Sequence, residues 1–298
     1  MAGHRTRWAV AAVTVSLPLA ALLAAAPVGA QSPSAAPEPS CAPVPSTAPL
    51  PSAAPASAVP AGDLTVFAAA SLTKAFGDLQ APWAAAHPDS TLVFSFDASG
   101  ALRTQIEQGA PADVLASADM KNPQALVDEC LAPAPVTAFA TNHLVIVVPK
   151  GNPAGITSPA DLTKSGVKVV AAGKDVPITK YATQLVDTLS KLSGYPADFA
   201  AGYAANVVSE EDNVKAVLAK IELGEGDAAI VYVTDAASST GVDTVAVPDE
   251  ANVLATYGAV SITDSAQPEL SAEFLSFLTG PDAQAVLASY GFLPPPAN

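Results

Sequence analysis

Two short apolar runs, each halted by a small hydroxyl residue and continued at once by helical spacing, constrain this chain more than any other feature. The first is Thr65-Val-Phe-Ala-Ala-Ala-Ser71, with Leu72, Ala75, Phe76, Leu79 and Trp83 recurring at helical spacing behind it. The second is Leu92-Val-Phe-Ser-Phe96, followed by Asp97-Ala-Ser99-Gly100, with Leu102 and Ile106 on the next helical face and a break at Gly109. Ser71 and Ser99 each fall where a helix N-cap belongs, beside the free N–H groups of a first turn. On two parallel strands, such helix starts lie side by side at the carboxyl edge of one sheet. A single one is an ordinary cap. Two adjacent ones make a pocket whose N–H groups and helix dipoles suit an anion.

The same grammar continues along the chain. Ala112-Asp-Val-Leu-Ala-Ser117 reads as a third strand, and Asn122-Pro123 opens a helix. His143-Leu-Val-Ile-Val-Val-Pro149 is a buried strand cut off by Pro, Gly, Asn and Pro, a natural crossing into a second lobe. There, Ser158-Pro-Ala-Asp161 caps a short helix, and residues 167–172 form a strand. Tyr181, Leu185 and Leu189 share a helix face, and Asp212-Asn-Val214 starts another helix. Asp227-Ala-Ala-Ile-Val-Tyr232 is a strand that ends on a tyrosine, residues 242–247 form one more, and residues 257–262 return to the first lobe. Pro268 and Pro281 then open two C-terminal helices. Alternating strands and helices predict an α/β protein of two lobes, each a mostly parallel sheet flanked by helices. Two crossing strands would join them as a hinged clam shell with a ligand cleft between. The expected boundaries are 63–147 plus 253–298 for the first lobe and 148–252 for the second.

A different kind of sequence precedes the fold. His4, Arg5 and Arg7 lead into a nearly all-apolar run from Trp8 to Ala26, and Val28-Gly-Ala30 supplies the small residues of a cleavage site. With Pro18 inside the run, residues 1–30 read as a signal peptide rather than an uncleaved membrane anchor. Residues 31–62 are dominated by Pro, Ala and Ser and cannot bury enough surface to offset their ordering entropy, so a disordered tether is expected. The protein is therefore expected to be exported, to the periplasm or another extracytoplasmic space, with cell-surface association through the tether left open.

The formal net charge of −15 becomes about −17 when two arginines and no acid leave with the signal. So acidic a chain argues against nucleic acid or an anionic membrane surface as partners. Its overall field also repels an anion, so capturing one has to come from local dipoles and donors. Cys41, in the tether, and Cys130 either pair in an oxidising compartment or are unrelated thiols. Glu38-Pro-Ser40 stands where Leu-small-small would precede a lipidated cysteine. His4, His87 and His143 are scattered, without the Cys/His spacing of a metal site.

Several segments together resemble the extracellular molybdate-binding proteins of ABC importers, over about residues 63–292. They are Phe67-Ala-Ala-Ala-Ser71-Leu-Thr, Gln105-Ile-Glu-Gln-Gly-Ala-Pro-Ala-Asp113, Ile230-Val-Tyr232 with Asp235-Ala236, and Gly280-Pro with Tyr290-Gly-Phe292. The resemblance implies a two-lobed periplasmic-binding-protein-like fold, no enzymatic activity and no cofactor. It also implies a monomer that serves a membrane permease and takes molybdate, with tungstate, as ligand. Carried onto this sequence, it implies that Ser71 and Ser99 each give a hydroxyl and a backbone N–H, Ile178 and Val214 a backbone N–H, and Tyr232 its phenolic hydroxyl. None of these would be a cation ligand; they hold the oxyanion itself. Ile178 stands where the family has a small residue, and Asp97-Ala-Ser99-Gly100 departs from its serine-rich form, leaving fewer hydroxyls.

The donor set has a chemical reason. Molybdate at neutral pH is a fully deprotonated tetrahedron whose oxygens only accept hydrogen bonds. Donors without a carboxylate acceptor fit it and disfavour hydrogenphosphate, whose proton needs an acceptor. Sulfate makes the same demands but is smaller, so cavity size alone can reject it; tungstate is nearly the size of molybdate. The competing readings are a binder of sulfate or another small solute, and an adhesin-like domain on a Pro-rich stalk. A third is a secreted hydrolase with Ser71 or Ser99 as nucleophile, against which stand the missing Gly-x-Ser-x-Gly elbow and the few histidines.

Overall fold

The computed structural model describes residues 61–296. The expected signal peptide, nearly all of the tether and Cys41 lie outside the described residues, and so does the question of pairing Cys41 with Cys130. In chain order the strands are β1 (Gly62–Ala69), β2 (Ser90–Asp97), β3 (Val114–Ser117), β4 (Thr137–Asn142) and β5 (Leu144–Pro149). Then come β6 (Val169–Ala172), β7 (Val207–Glu211), β8 (Ala229–Tyr232), β9 (Val242–Val245) and β10 (Ala255–Ser261). The helices are α1 (Thr73–Ala86), α2 (Ser99–Glu107), α3 (Lys121–Asp128), α4 (Pro177–Leu189) and α5 (Phe199–Ala205). They continue with α6 (Val214–Glu222), α7 (Val233–Ala237), α8 (Pro268–Thr279) and α9 (Pro281–Ser289).

The first sheet has the order β2-β1-β3-β10-β4, with β1, β2 and β3 parallel and β10 antiparallel to both of its neighbours. In the second half β5 lies antiparallel between β8 and β9, while β6 and β7 pair in parallel. A parallel bridge from Val169 to Ala228 joins these pieces into the order β7-β6-β8-β5-β9. Both halves thus follow one plan: three parallel strands, one antiparallel strand, and a fifth. In each half the antiparallel strand is the one delivered by the chain crossing from the other half. The fold is α/β with two mostly parallel sheets, as the alternation of strands and helices requires.

One expected boundary moves. β5 pairs with β8 and β9, so the chain leaves the first sheet at Asn142 rather than after residue 147. β5 is buried on both faces, which the middle of either sheet would provide, and its apolar run reads the same in both settings. Two strands had no legible signal. β4 mixes Thr, Ala and Asn with one Phe, and β7 (Val-Val-Ser-Glu-Glu) is a half-exposed edge strand.

Large side chains anchor the first half. Phe76 and Trp83 of α1 meet Phe274 of α8 with ring centroids 6.3 and 5.6 Å apart, and the Trp83 indole donates to Ser90 Oγ at 2.7 Å. Asp113, which ends the Gly-Ala-Pro-Ala-Asp segment, accepts from the Thr65 amide at 2.7 Å and the Ser265 hydroxyl at 2.6 Å. That part of the family likeness is structural, tying β1 and the C-terminal segment to the start of β3. Among the described residues no helix is long and apolar enough to cross a membrane.

Candidate functional site

Ala69 and Asp97 are register partners at the ends of β1 and β2, so the turns leaving these strands begin side by side. Neither serine is an N-cap, contrary to the expectation from spacing. The cap position is taken by Ala69, the last residue of β1 (φ −54°, ψ 141°), a 3-10 turn occupies Ala70–Leu72, and α1 follows from Thr73. In α2 the extended residue is Ala98 (φ −60°, ψ 137°), and Ser99 is the first helical residue. The shift by one or two positions follows from alanine filling each cap site, and it frees both hydroxyls from capping. Ser71 and Ser99 instead place their own amides in first turns, where N–H groups have no helical acceptor.

The hydroxyls are held from behind. Ser99 Oγ accepts from the Ala118 amide at 3.1 Å, which leaves its proton to donate. Ser71 Oγ lies 3.1 Å from the Tyr257 hydroxyl. Burial pushes the Tyr257 phenol well above the ordinary tyrosine range, so Tyr257 stays protonated and either hydroxyl can donate to the other. With Tyr257 donating, the Ser71 proton is left for a ligand.

The second half supplies the complementary wall. Pro177 opens α4 and has no N–H, so Ile178 carries the first amide of that helix. At α6 the Asn213 side chain accepts from the amides of Lys215 and Ala216, both at 3.1 Å. This cap leaves the Val214 amide, one position earlier, outside its reach. Tyr232 closes β8 at 1 % exposure, and its hydroxyl is enclosed with no hydrogen-bond partner. Burial pushes its pKa well above the ordinary value, so it is a donor throughout the physiological range.

Ser71, Ser99, Ile178, Val214 and Tyr232 all line one cavity, together with Ala69, Ala98, Val176 and Asn213. The 3-10 turn before α1 and the first turns of α2, α4 and α6 therefore open onto a single small space, of about 10 Å³. That is room for about one water-sized body, so a four-oxygen ion requires the halves to ease slightly apart. Among the described residues no group of three or more His, Cys, Asp or Glu is placed to hold a metal ion.

The donor-only wall needs one correction, because Asp97 also lines the cavity. Its Oδ1 accepts from the Ala98 amide at 2.7 Å and from Asn213 Nδ2 at 3.4 Å. Asp97 and Asn213 thereby link the two halves, a pairing no sequence spacing reveals. The Tyr181 hydroxyl donates to the Thr256 carbonyl at 3.4 Å, and the Lys74 ammonium donates to the carbonyl of Ser238, across the same junction. The halves are closed on one another.

Behind the cavity lies a buried charge. Asp235 is fully buried, and its Oδ1 meets Lys215 Nζ at 2.8 Å, while its Oδ2 has no partner. Burial raises the Asp235 pKa, opposed by Lys215. Lys215 follows Val214, so the pair holds the start of α6 against α7. Replacing Lys215→Met is expected to destabilise the fold by about 3 kcal/mol, the low end for breaking a buried pair, because the lysine is partly exposed and the acid can take up a proton. Urea denaturation checks this; an unchanged midpoint would mean that Asp235 is already protonated at neutral pH.

Comparison with known proteins places these features in context. Residues 64–293 match the family model described as bacterial extracellular solute-binding protein. The molybdate-binding protein ModA of Mycobacterium tuberculosis is 37% identical over 236 residues, 79% of this chain and 86% of that protein. The periplasmic molybdate-binding protein of Azotobacter vinelandii superposes with a TM-score of 0.66 at 23% identity, covering 78% of this chain and all of that one (100%). The sulfate-binding protein SubI of Mycobacterium tuberculosis superposes with a TM-score of 0.71 at 18% identity, covering 78% of this chain and 87% of that one. Both superpositions speak for the fold alone and do not choose between the two anions.

Proposed function

The chain belongs to the bacterial extracellular solute-binding proteins, and from that premise we propose that it captures molybdate, and tungstate with it, between its two lobes for the membrane permease of an ABC importer. The carrying observation is the enclosed Tyr232 hydroxyl without a partner, on a cavity also lined by two serines and by first-turn residues whose amides have no acceptor within their own helices. A buried polar group left unsatisfied is costly, and an ion whose oxygens only accept relieves Tyr232 and the amides together. Ser71 and Ser99 give hydroxyl and amide from one lobe; Ile178 and Val214 give amides and Tyr232 its hydroxyl from the other. The N-termini of α2, α4 and α6, with the 3-10 turn at Ser71, supply positive potential at the cavity itself, against the net negative charge of the chain. The protein acts as an exported monomer without catalysis. Neither serine meets a base, since Ser71 faces Tyr257 and Ser99 the Ala118 amide.

Sulfate is the second reading, supported by the small cavity. A melting screen over tetrahedral oxyanions separates the two. Molybdate and tungstate at 1,000 times their Kd should stabilise the protein by about 4 kcal/mol, with sulfate far weaker at the same concentration. Equal shifts for all three would refute selection by size. Because Tyr232 stays protonated, its raised pKa means that no donor is lost as pH climbs through the ordinary tyrosine value. Molybdate affinity is therefore expected to stay level from pH 7 to about 10. A calorimetric series showing affinity collapse below pH 10 would mean that a donor to the ion loses its proton there, and that burial does not hold Tyr232 protonated.

A further inference from the structure

Resting on the cleft as an oxyanion site, we propose that the crevice where α2, α3 and α4 meet is a cationic vestibule, a second and weaker anion site through which the ligand reaches the cavity. Of the 13 lysines and arginines, Arg5 and Arg7 precede the fold, and four of the rest, Arg103, Lys121, Lys174 and Lys180, line this one crevice of about 100 Å³. Val176 and Pro177 wall both the crevice and the inner cavity, so the two spaces are separated by a single turn of chain.

The charges in the crevice are available. Among the described residues Lys150, Lys164, Lys215 and Lys220 are committed to carboxylates, whereas Lys121, Lys174 and Lys180 form no ion pair and are exposed. Arg103 pairs with Glu107 at 3.3 Å, and its enclosed Nε has no partner. The two acids of the crevice are Asp119 and Asp175. Asp119 accepts from the Ser117 hydroxyl and from Asn122, neutral donors that fix the carboxylate without cancelling its charge, so four cations stand against two carboxylates. The outer rim is polarised: Arg103 and Lys174 share it with Glu210, Glu211 and Asp212, and Glu211 is paired with Lys220 at 2.8 Å. Charges beyond about 8 Å are screened at physiological salt, so an arriving dianion responds to this local cluster rather than to the net charge of −15. Mobile ammonium groups hold an anion loosely and release it inward to fixed amides.

Two measurements test this. The triple variant Lys121→Gln, Lys174→Gln, Lys180→Gln should bind molybdate about tenfold more slowly at low ionic strength, converging with the unaltered protein at high salt, with the dissociation rate unchanged. The triple variant Lys150→Gln, Lys168→Gln, Lys191→Gln, altered away from the crevice, should keep the original association rate. Equal slowing in both sets would overturn the vestibule in favour of net charge, and an effect confined to dissociation would overturn it in favour of direct contact with the bound ion. The second measurement is independent of what the inner cavity binds. Inorganic phosphate titrated at millimolar concentration into the Ser71→Ala, Ser99→Ala variant should shift the amide resonances of Lys121, Lys174 and Lys180. Silent resonances there would refute the vestibule; shifts there, with no oxyanion stabilising the unaltered protein, would refute only the inner site.

Discussion

Replacing Ser71→Ala together with Ser99→Ala weakens molybdate binding by about 3–6 kcal/mol, a loss of a hundredfold to ten-thousandfold or more in affinity. Hydrogen bonds to a charged partner contribute about 1.5–3 kcal/mol each, and both hydroxyls stand in a closed cavity that leaves no room for replacement water beside an oxyanion. Each hydroxyl is already oriented from behind, Ser99 by the Ala118 amide and Ser71 by Tyr257, so little ordering entropy offsets the gain on binding. The Ser99 substitution also strips the Ala118 amide of its acceptor, which lowers stability with or without ligand. Calorimetric affinity therefore has to be read beside the melting temperature of the ligand-free variant. An unaltered affinity would place the site outside this cavity.

Gly100→Val is expected to weaken binding tenfold to a hundredfold without touching the ligand. A Cβ built on Gly100 would come well inside 3.0 Å of the Asp175 carbonyl oxygen, an atom of the opposite half. A backbone atom cannot swing aside as a flexible side chain does, so the added carbons wedge the halves apart. Overpacking of this kind costs about 1–3 kcal/mol. The open form carries no such contact, so the cost falls on closure and subtracts from affinity. Dissociation should accelerate more than association slows. Ligand-induced compaction measured by small-angle scattering should shrink, while the unliganded melting temperature holds. Normal compaction with normal affinity would show that the loop at Asp175 yields easily.

Much of this was readable in the order of residues. Apolar runs ending at Ser71, Ser99 and Tyr232, with helical spacing behind the serines, mark strand-to-helix turns, and alternation of period forces the α/β class. Asn213 announces its helix start through local chemistry, a capping side chain, whereas residues 173–179 read as a loop although α4 already begins at Pro177. Other features carry no such local mark. β5 reads as a buried strand in either lobe, and only its pairing with β8 and β9 assigns it. The serines read as caps because hydroxyls usually cap; that alanines took those positions depended on what Tyr257 and the Ala118 amide asked of the hydroxyls.

The sequence by itself determined the strand and helix alternation, the donor types available and the acidity of the chain, because these depend on neighbours a few residues apart. Only the tertiary structure decided that Asp97 meets Asn213, that Gly100 rests against Asp175, and that four dispersed cations share one crevice. Those are contacts between segments 70 or more residues apart or between separate helices. They are set by how two sheets close on each other, and no local pattern encodes that.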